Sequence, residues 1–82
     1  MEPDAVKKLI ETGIPESQVK VVDTTGTKDH FSAIVISDSF EGLSLVEQHQ
    51  TVYKAVGDHL TKEIHALQLN TYSSTQWAQH NS

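Results

Sequence analysis

Two different spacings of apolar residues divide the chain into helices and strands. Apolar residues three and four positions apart predict an N-terminal helix that begins at Pro3 and ends near Gly13. Gly13 is expected to adopt the left-handed conformation that often follows a last helical turn. A second helix is predicted to begin at a capping box, in which Ser44 and Glu47 each bond a free backbone N–H. Its predicted apolar face contains Leu45, Val46, His49, Val52, Tyr53, Val56 and Leu60.

Other segments have the apolar alternation or the apolar runs of β-strands. The predicted strands are residues 18–23, 30–37 and 64–71. The second is apolar on both faces and is therefore expected at the centre of the sheet. In the third, Leu67 and Leu69 share the apolar face with His65, at the beginning of the strand. A short helix capped by residues 73–75 should follow, with Trp77 in the core and residues 78–82 frayed.

The order of these elements predicts one α+β domain over residues 1–82, with αββαβα topology similar to a class II KH-like fold. Strands joined by a short loop should pair antiparallel, whereas strands joined through a helix should pair parallel by a right-handed crossover. The sheet is therefore mixed and three-stranded, with helices expected on one face. His30 and His65, which begin the second and third strands, would meet at one sheet edge, where strands are about 4.8 Å apart.

Charge argues against two classes of partner. The net charge is −5, and the six basic residues are all lysines scattered along the chain. Binding to a phosphate backbone needs clustered positive charge, so nucleic-acid binding should be weak, and a basic membrane-binding patch is disfavoured. No apolar run approaches the ~20 residues that span a bilayer, and the first residues lack the apolar region of a secretory signal. We therefore expect a cytoplasmic protein.

Signatures of common enzymes are missing, so catalysis is not expected. There is no cysteine, which removes both a thiol nucleophile and any thiolate metal ligand from this chain. Neither a Gly-x-Ser-x-Gly elbow nor a His-Glu-x-x-His helix occurs. The loop at residues 24–29 contains one glycine, so it lacks the pattern of a phosphate-binding loop and the Gly-x-x-Gly clamp of KH domains.

The five histidines differ in the roles that the sequence predicts for them. From the residues alone, His65 is either a partly buried side chain bonded to backbone groups or a ligand at a strand edge. His30 is either an exposed loop residue or a second ligand at that edge. His49 is expected to pack on the apolar face of its helix, and His59 and His80 are expected in solvent.

Four ordered motifs resemble the BolA family. They are F-E-G-L-S-L-V at 40–46, H-Q-T-V-Y at 49–53, I-H-A-L-Q-L-N-T-Y at 64–72 and T-Q-W at 75–77. The resemblance covers about residues 5–77 and is closest to a small acidic bacterial branch of the family. One position departs from the pattern, because Gln48 stands where the family often has a basic residue.

The resemblance implies a partner protein in iron–sulfur metabolism that binds a monothiol glutaredoxin and shares a [2Fe–2S] cluster with it. His65 matches the histidine that serves BolA proteins as an iron ligand, and His30 matches a region where the family has Cys or His. Imidazole is an accepted ligand to one iron of such a cluster. The glutaredoxin and its glutathione would supply sulfur, and iron–sulfur recipient proteins are possible further partners. The isolated chain is expected to be a monomer without a cluster.

The two candidate ligands are expected to differ in mobility. His65 should be held in place by its strand neighbours Leu67 and Leu69, whereas His30 follows the loop around Gly26 and should settle only in a complex. Two alternatives to the iron–sulfur function remain open. One is a nucleic-acid-binding transcriptional regulator that uses the KH-like fold, and the other is an interaction module in which both histidines only pack.

Overall fold

The computed structural model describes residues 2–26, 30–57 and 66–80 of the 82-residue chain. Its elements are α1 (Pro3–Gly13), β1 (Ser17–Asp23), β2 (His30–Ser37), a 3₁₀ turn (Asp38–Phe40), α2 (Leu45–Val56), β3 (Ala66–Tyr72) and α3 (Ser74–His80). The predicted α+β class and αββαβα order are confirmed. The predicted start of the third strand, at Ile64 and His65, lies outside the described residues.

β2 is the central strand, as its apolar character on both faces predicts. It pairs antiparallel with β1, from Ser17 opposite Ser37 to Asp23 opposite Phe31. It pairs parallel with β3, from His30 opposite Ala66 to Ile36 opposite Tyr72. The predicted mixed three-stranded sheet is therefore confirmed.

The core lies between one face of the sheet and the helices α1 and α2. Alternation along β2 directs Phe31, Ala33 and Val35 to this face, and each is at most 1% exposed. The other buried members of this core are Val6, Ile10, Ile14, Val19, Phe40, Val52 and Val56. The opposite face, here called the outer face, contains the alternate residues, among them Ile34 and Ile36 of β2 and their partners in β1 and β3.

Gly13 allows α1 and α2 to approach closely, and the prediction that it is left-handed is wrong. Gly13 is the last residue of α1, its φ is not positive, and the following Ile14 is extended at φ −128°. A Cβ built on Gly13 would lie 2.5 Å from the Cβ and 2.9 Å from the Cα of Ala55 in α2. The close contact with Ala55 of α2 therefore explains why position 13 is a glycine, and turn geometry does not.

The buried face of α2 differs from the predicted apolar face. Gln48, Val52 and Val56, four residues apart, are at most 1% exposed, whereas Leu45 and Val46 are 61% and 65% exposed. Apolar residues occur on two sides of this helix, so periodicity alone does not identify the side that meets the sheet. The buried side is set by its contacts with α1 and β3.

α3 is placed differently from the other two helices. α1 and α2 cover the core face as expected, but Trp77 of α3 lies beside Ile34 and Ile36 on the outer face. Trp77 is only half-buried, so its prediction as a core residue is wrong. Its ring meets that of Tyr72 edge-to-face, with centroids 5.1 Å apart. α3 continues to His80, so residues 78–80, which were expected to fray, are part of this helix.

The close contact at Gly13 predicts a specific destabilisation. Gly13→Ala should lower the free energy of unfolding by about 1–3 kcal/mol, because the added methyl overlaps Ala55 in a packed interface. In Gly13→Ala/Ala55→Gly the combined cost should be smaller than the sum of the single costs, since the two residues touch. Urea unfolding measures both values. The exposed neighbour Thr12→Ala is the control, and a fully stable Gly13→Ala variant would contradict the proposed contact.

The capping box of α2 predicts a pH-dependent contribution to stability. The Ser44 backbone N–H donates to Glu47 Oε1 at 3.0 Å, and the Glu47 N–H donates to Ser44 Oγ at 3.2 Å. The bond from the Ser44 N–H to the carboxylate, followed by the side-chain hydroxyl of Ser44, holds the pKa of the exposed Glu47 carboxyl below its ordinary value of 4.5. A lowered pKa stabilises the fold above the unfolded value, and this contribution is lost as pH falls through the folded value.

Glu47→Gln keeps an acceptor but removes the charge, so it isolates the electrostatic part of this cap. The variant should be less stable than the wild type at neutral pH, and the difference should shrink below pH 4.5. Chemical unfolding at several pH values measures the difference. A difference that stays constant down to strongly acidic pH would show that the charge of Glu47 is not responsible.

Candidate functional site

The candidate site is the sheet edge at which β2 and β3 both begin. Parallel pairing brings these two N-terminal ends together, and the register makes Ala66 the Cα partner of His30. His65 directly precedes Ala66 in the sequence and lies outside the described residues. The predicted arrangement of strands is therefore confirmed, and the ligand assignments of His30 and His65 remain predictions.

The backbone of His30 is fixed by the end of the β1–β2 hairpin. Both the N–H and the hydroxyl of Thr24 donate to the His30 carbonyl, at 3.0 and 3.1 Å. Asp23 shapes the start of the loop, since its Oδ1 accepts from the N–H groups of Thr25 and Gly26 at 3.2 and 2.9 Å. Gly26 has φ +78°, a conformation that favours glycine.

His30 is thus a strand residue with ladder partners on the β3 side and hairpin bonds on the β1 side. Its position at the start of β2 is as predicted, and the expectation that it settles only in a complex stays a prediction. By alternation it shares the outer face with Ser32 and Ile34, and its side chain is half-buried. A half-buried imidazole at a strand end retains access for a metal or a partner, and imidazole is the commonest protein metal ligand.

Nothing else in the described residues adds a ready metal site. No group of three or more His, Cys, Asp or Glu side chains that could hold a metal ion occurs within residues 2–26, 30–57 and 66–80.

Among the helices in this part of the chain, none has both the length and the apolar character required to cross a membrane.

The other histidines lie away from the β2–β3 edge or outside the described residues. His49 is half-buried on α2, and its Nε2 is buried with no hydrogen-bond partner among the described residues, which fits the predicted packing role. His80 is exposed as expected, but it also stacks on Trp77 at a centroid distance of 5.6 Å. Residues three positions apart on a helix are neighbours, so the spacing of Trp77 and His80 could have predicted this ring contact. His59 lies outside the described residues.

Gln48 is a structural residue that sequence reasoning also missed. It is 1% exposed, and its Nε2 donates to the Leu43 carbonyl at 3.2 Å and to Gln76 Oε1 at 3.3 Å. The same Gln76 oxygen accepts from the Ser73 N–H at 2.9 Å. Gln48 therefore joins α2 to the start of α3. Two features of the sequence could have indicated that Gln48 is buried. It is four residues from Val52 on the helix, and it replaces the basic residue expected at this position.

Comparison with known proteins gives the family. The family described as BolA-like protein matches residues 11–76. A relative named DNA-binding transcriptional regulator BolA, from Vibrio cholerae, is 31% identical over 88 residues, which cover 99% of this chain and 83% of the relative. The chain therefore belongs to the BolA family.

Solved structures agree with this assignment. A BolA homologue from Coxiella burnetii has a TM-score of 0.82 and 37% identity, and the match covers 95% of this chain and 97% of the homologue. Yeast Fra2 has a TM-score of 0.77 and 31% identity over 96% of this chain and 86% of Fra2. The α+β fold described above is therefore the BolA fold.

Proposed function

We propose that this protein is a non-enzymatic partner in iron–sulfur metabolism that shares a [2Fe–2S] cluster with a monothiol glutaredoxin. One observation carries the proposal. β2 and β3 are parallel, and the first residue of β2, His30, is paired with the residue that follows His65. His30 thus lies at the edge where β3 begins, and His65 directly precedes β3 in the sequence of a chain that has no cysteine.

The available donor set fits a shared cluster. Histidine replaces thiolate on one iron in some [2Fe–2S] centres, whereas the remaining ligands are thiolates. His30 and His65 would supply nitrogen, and the glutaredoxin cysteine and glutathione would supply sulfur. The cluster is the cargo of this complex, and the protein's own contribution is to bind the partner and to present imidazole to one iron.

The structure of the hairpin suggests how His30 would contribute. Its backbone is held by two bonds from Thr24 and by pairing with β3, so little backbone order remains to be gained when a partner binds. Preorganisation of this kind raises affinity because less conformational entropy is lost. Since the bonds to Thr24 involve only the His30 carbonyl, replacing the side chain leaves them in place.

Substitution of the two histidines should separate their functions. In complex with a monothiol glutaredoxin, His65→Ala should abolish the cluster signature in visible circular dichroism. His30→Ala should give a weaker and more labile cluster, and His30→Cys should retain a cluster with an altered spectrum, because thiolate is also an iron ligand. Without the glutaredoxin, the wild-type protein should be colourless.

His80→Ala is the matched control, because it removes an exposed imidazole that belongs to α3 rather than to this edge. It should leave the cluster spectrum unchanged. A thermal melt of each free variant shows whether the domain is still folded. A wild-type spectrum for His65→Ala, or loss of the cluster only in variants that have unfolded, would favour the packing interpretation.

A second candidate function is transcriptional regulation through DNA. The name of the Vibrio cholerae relative favours it, since that protein is described as a DNA-binding transcriptional regulator. The net charge of −5 and the absence of arginine weigh against it, because neutralisation of phosphates dominates DNA affinity.

Titration of labelled duplex DNA at physiological salt distinguishes the two functions. Under the iron–sulfur proposal, binding should be non-specific, with a dissociation constant weaker than about 10⁻⁶ M, in the range of non-specific contacts. A scrambled duplex of equal length is the control. Sequence-specific binding near 10⁻⁸ M, typical of dedicated regulators, would favour the DNA-binding function instead.

A further inference from the structure

A groove of about 440 Å³ lies between α1 and α2, and none of its lining residues belongs to the β2–β3 edge. Its lining consists of Ala5, Lys8, Leu9, Thr12 and Gly13 from α1 with Lys54 and Ala55 from α2. The volume falls within the range of ligand-binding clefts in proteins. The proposed cluster function does not use this surface.

The shape of the groove follows from small residues at the helix contact. Gly13 and Ala55 let the two helices approach, so the surface between them is a shallow channel with an aliphatic floor. Leu9 and Ala5 line this floor and are half-buried, although they are outside the buried core. An apolar side chain of a partner could therefore bury its surface here without displacing any residue of the core.

Lys8 and Lys54 give the groove a positive charge. Both are exposed, and neither side chain forms an ion pair or a hydrogen bond with another residue in the described part of the chain. No acidic residue lines the groove. Two exposed ammonium groups on either side of an aliphatic floor are complementary to carboxylates that flank an aliphatic side chain, in a chain whose net charge is −5.

We propose that this groove binds a short acidic, amphipathic segment of a partner protein. An aliphatic side chain of the segment packs on Leu9 and Ala5, and its flanking carboxylates pair with Lys8 and Lys54. A helix supplies this arrangement, because residues three and four apart share one face. The lining also favours a peptide over single-stranded nucleic acid. Binding of unpaired bases relies on aromatic stacking, and the groove contains no aromatic residue.

The test uses the full-length protein and a fluorescein-labelled synthetic peptide of about 15 residues, long enough to form a helix, with leucine flanked by glutamate at helical spacing. Fluorescence anisotropy at low salt measures binding. Lys8→Gln/Lys54→Gln should weaken it about 2- to 30-fold, as expected for the loss of two exposed charge pairs. Lys7→Gln/Lys20→Gln changes the net charge equally but lies outside the groove lining, so it should have little effect.

Several results would overturn the proposal. Equal weakening by both double variants would mean that the peptide senses only overall charge, and no detectable binding to the wild type would leave the groove without this function. A labelled single-stranded oligonucleotide that binds more tightly than the peptide, and loses affinity in Lys8→Gln/Lys54→Gln, would identify a nucleic-acid site instead. Thermal melts verify that the variants fold. If Lys8→Gln/Lys54→Gln does not fold, the single variant Lys8→Gln is used in its place.

Discussion

Hydrogen bonding along both edges of β2 is the constraint on which the rest of the structure depends. The ladder to β1 fixes the hairpin, and the ladder to β3 fixes the strand that follows α2. Alternation within β2 then directs Phe31, Ala33 and Val35 to the helices. The same registers place His30 opposite Ala66. The candidate site is therefore positioned by backbone hydrogen bonds, which tolerate side-chain replacement, rather than by a network of polar side chains.

Sequence reasoning succeeded where the structure is determined by local chemistry. The bounds of β2 and the capping box at Ser44 follow from residues within a few positions of one another, and both were found. Strand directions followed from the length and type of the connections, because a short loop permits antiparallel pairing and a helical connection permits parallel pairing. That β2 and β3 begin at the same edge of the sheet could be predicted for the same reason.

Errors arose where two distant elements determine what a residue does. Gly13 was predicted to be left-handed because glycine is frequent at helix ends, but its reason is the Ala55 methyl on another helix. Gln48 was omitted from the buried face of α2 because it is polar, yet its amide bonds Leu43 and Gln76. Trp77 was predicted in the core, but it is half-buried beside Ile34 and Ile36 on the outer face. The four-residue spacing of Gln48 from Val52 was an available signal, but no local pattern identifies Ala55 or Gln76 as the partner in these contacts.

The parallel pairing of β2 and β3 also determines when this edge of the sheet comes into existence. The β1–β2 hairpin closes over residues 24–29, whereas pairing of β2 with β3 must close over residues 38–65. A longer closure costs more chain entropy and slows folding, so the hairpin is expected to form first. During synthesis the hairpin leaves the ribosome well before β3 does. The nascent protein can therefore present His30 early, but the completed edge only after β3 has also left the ribosome.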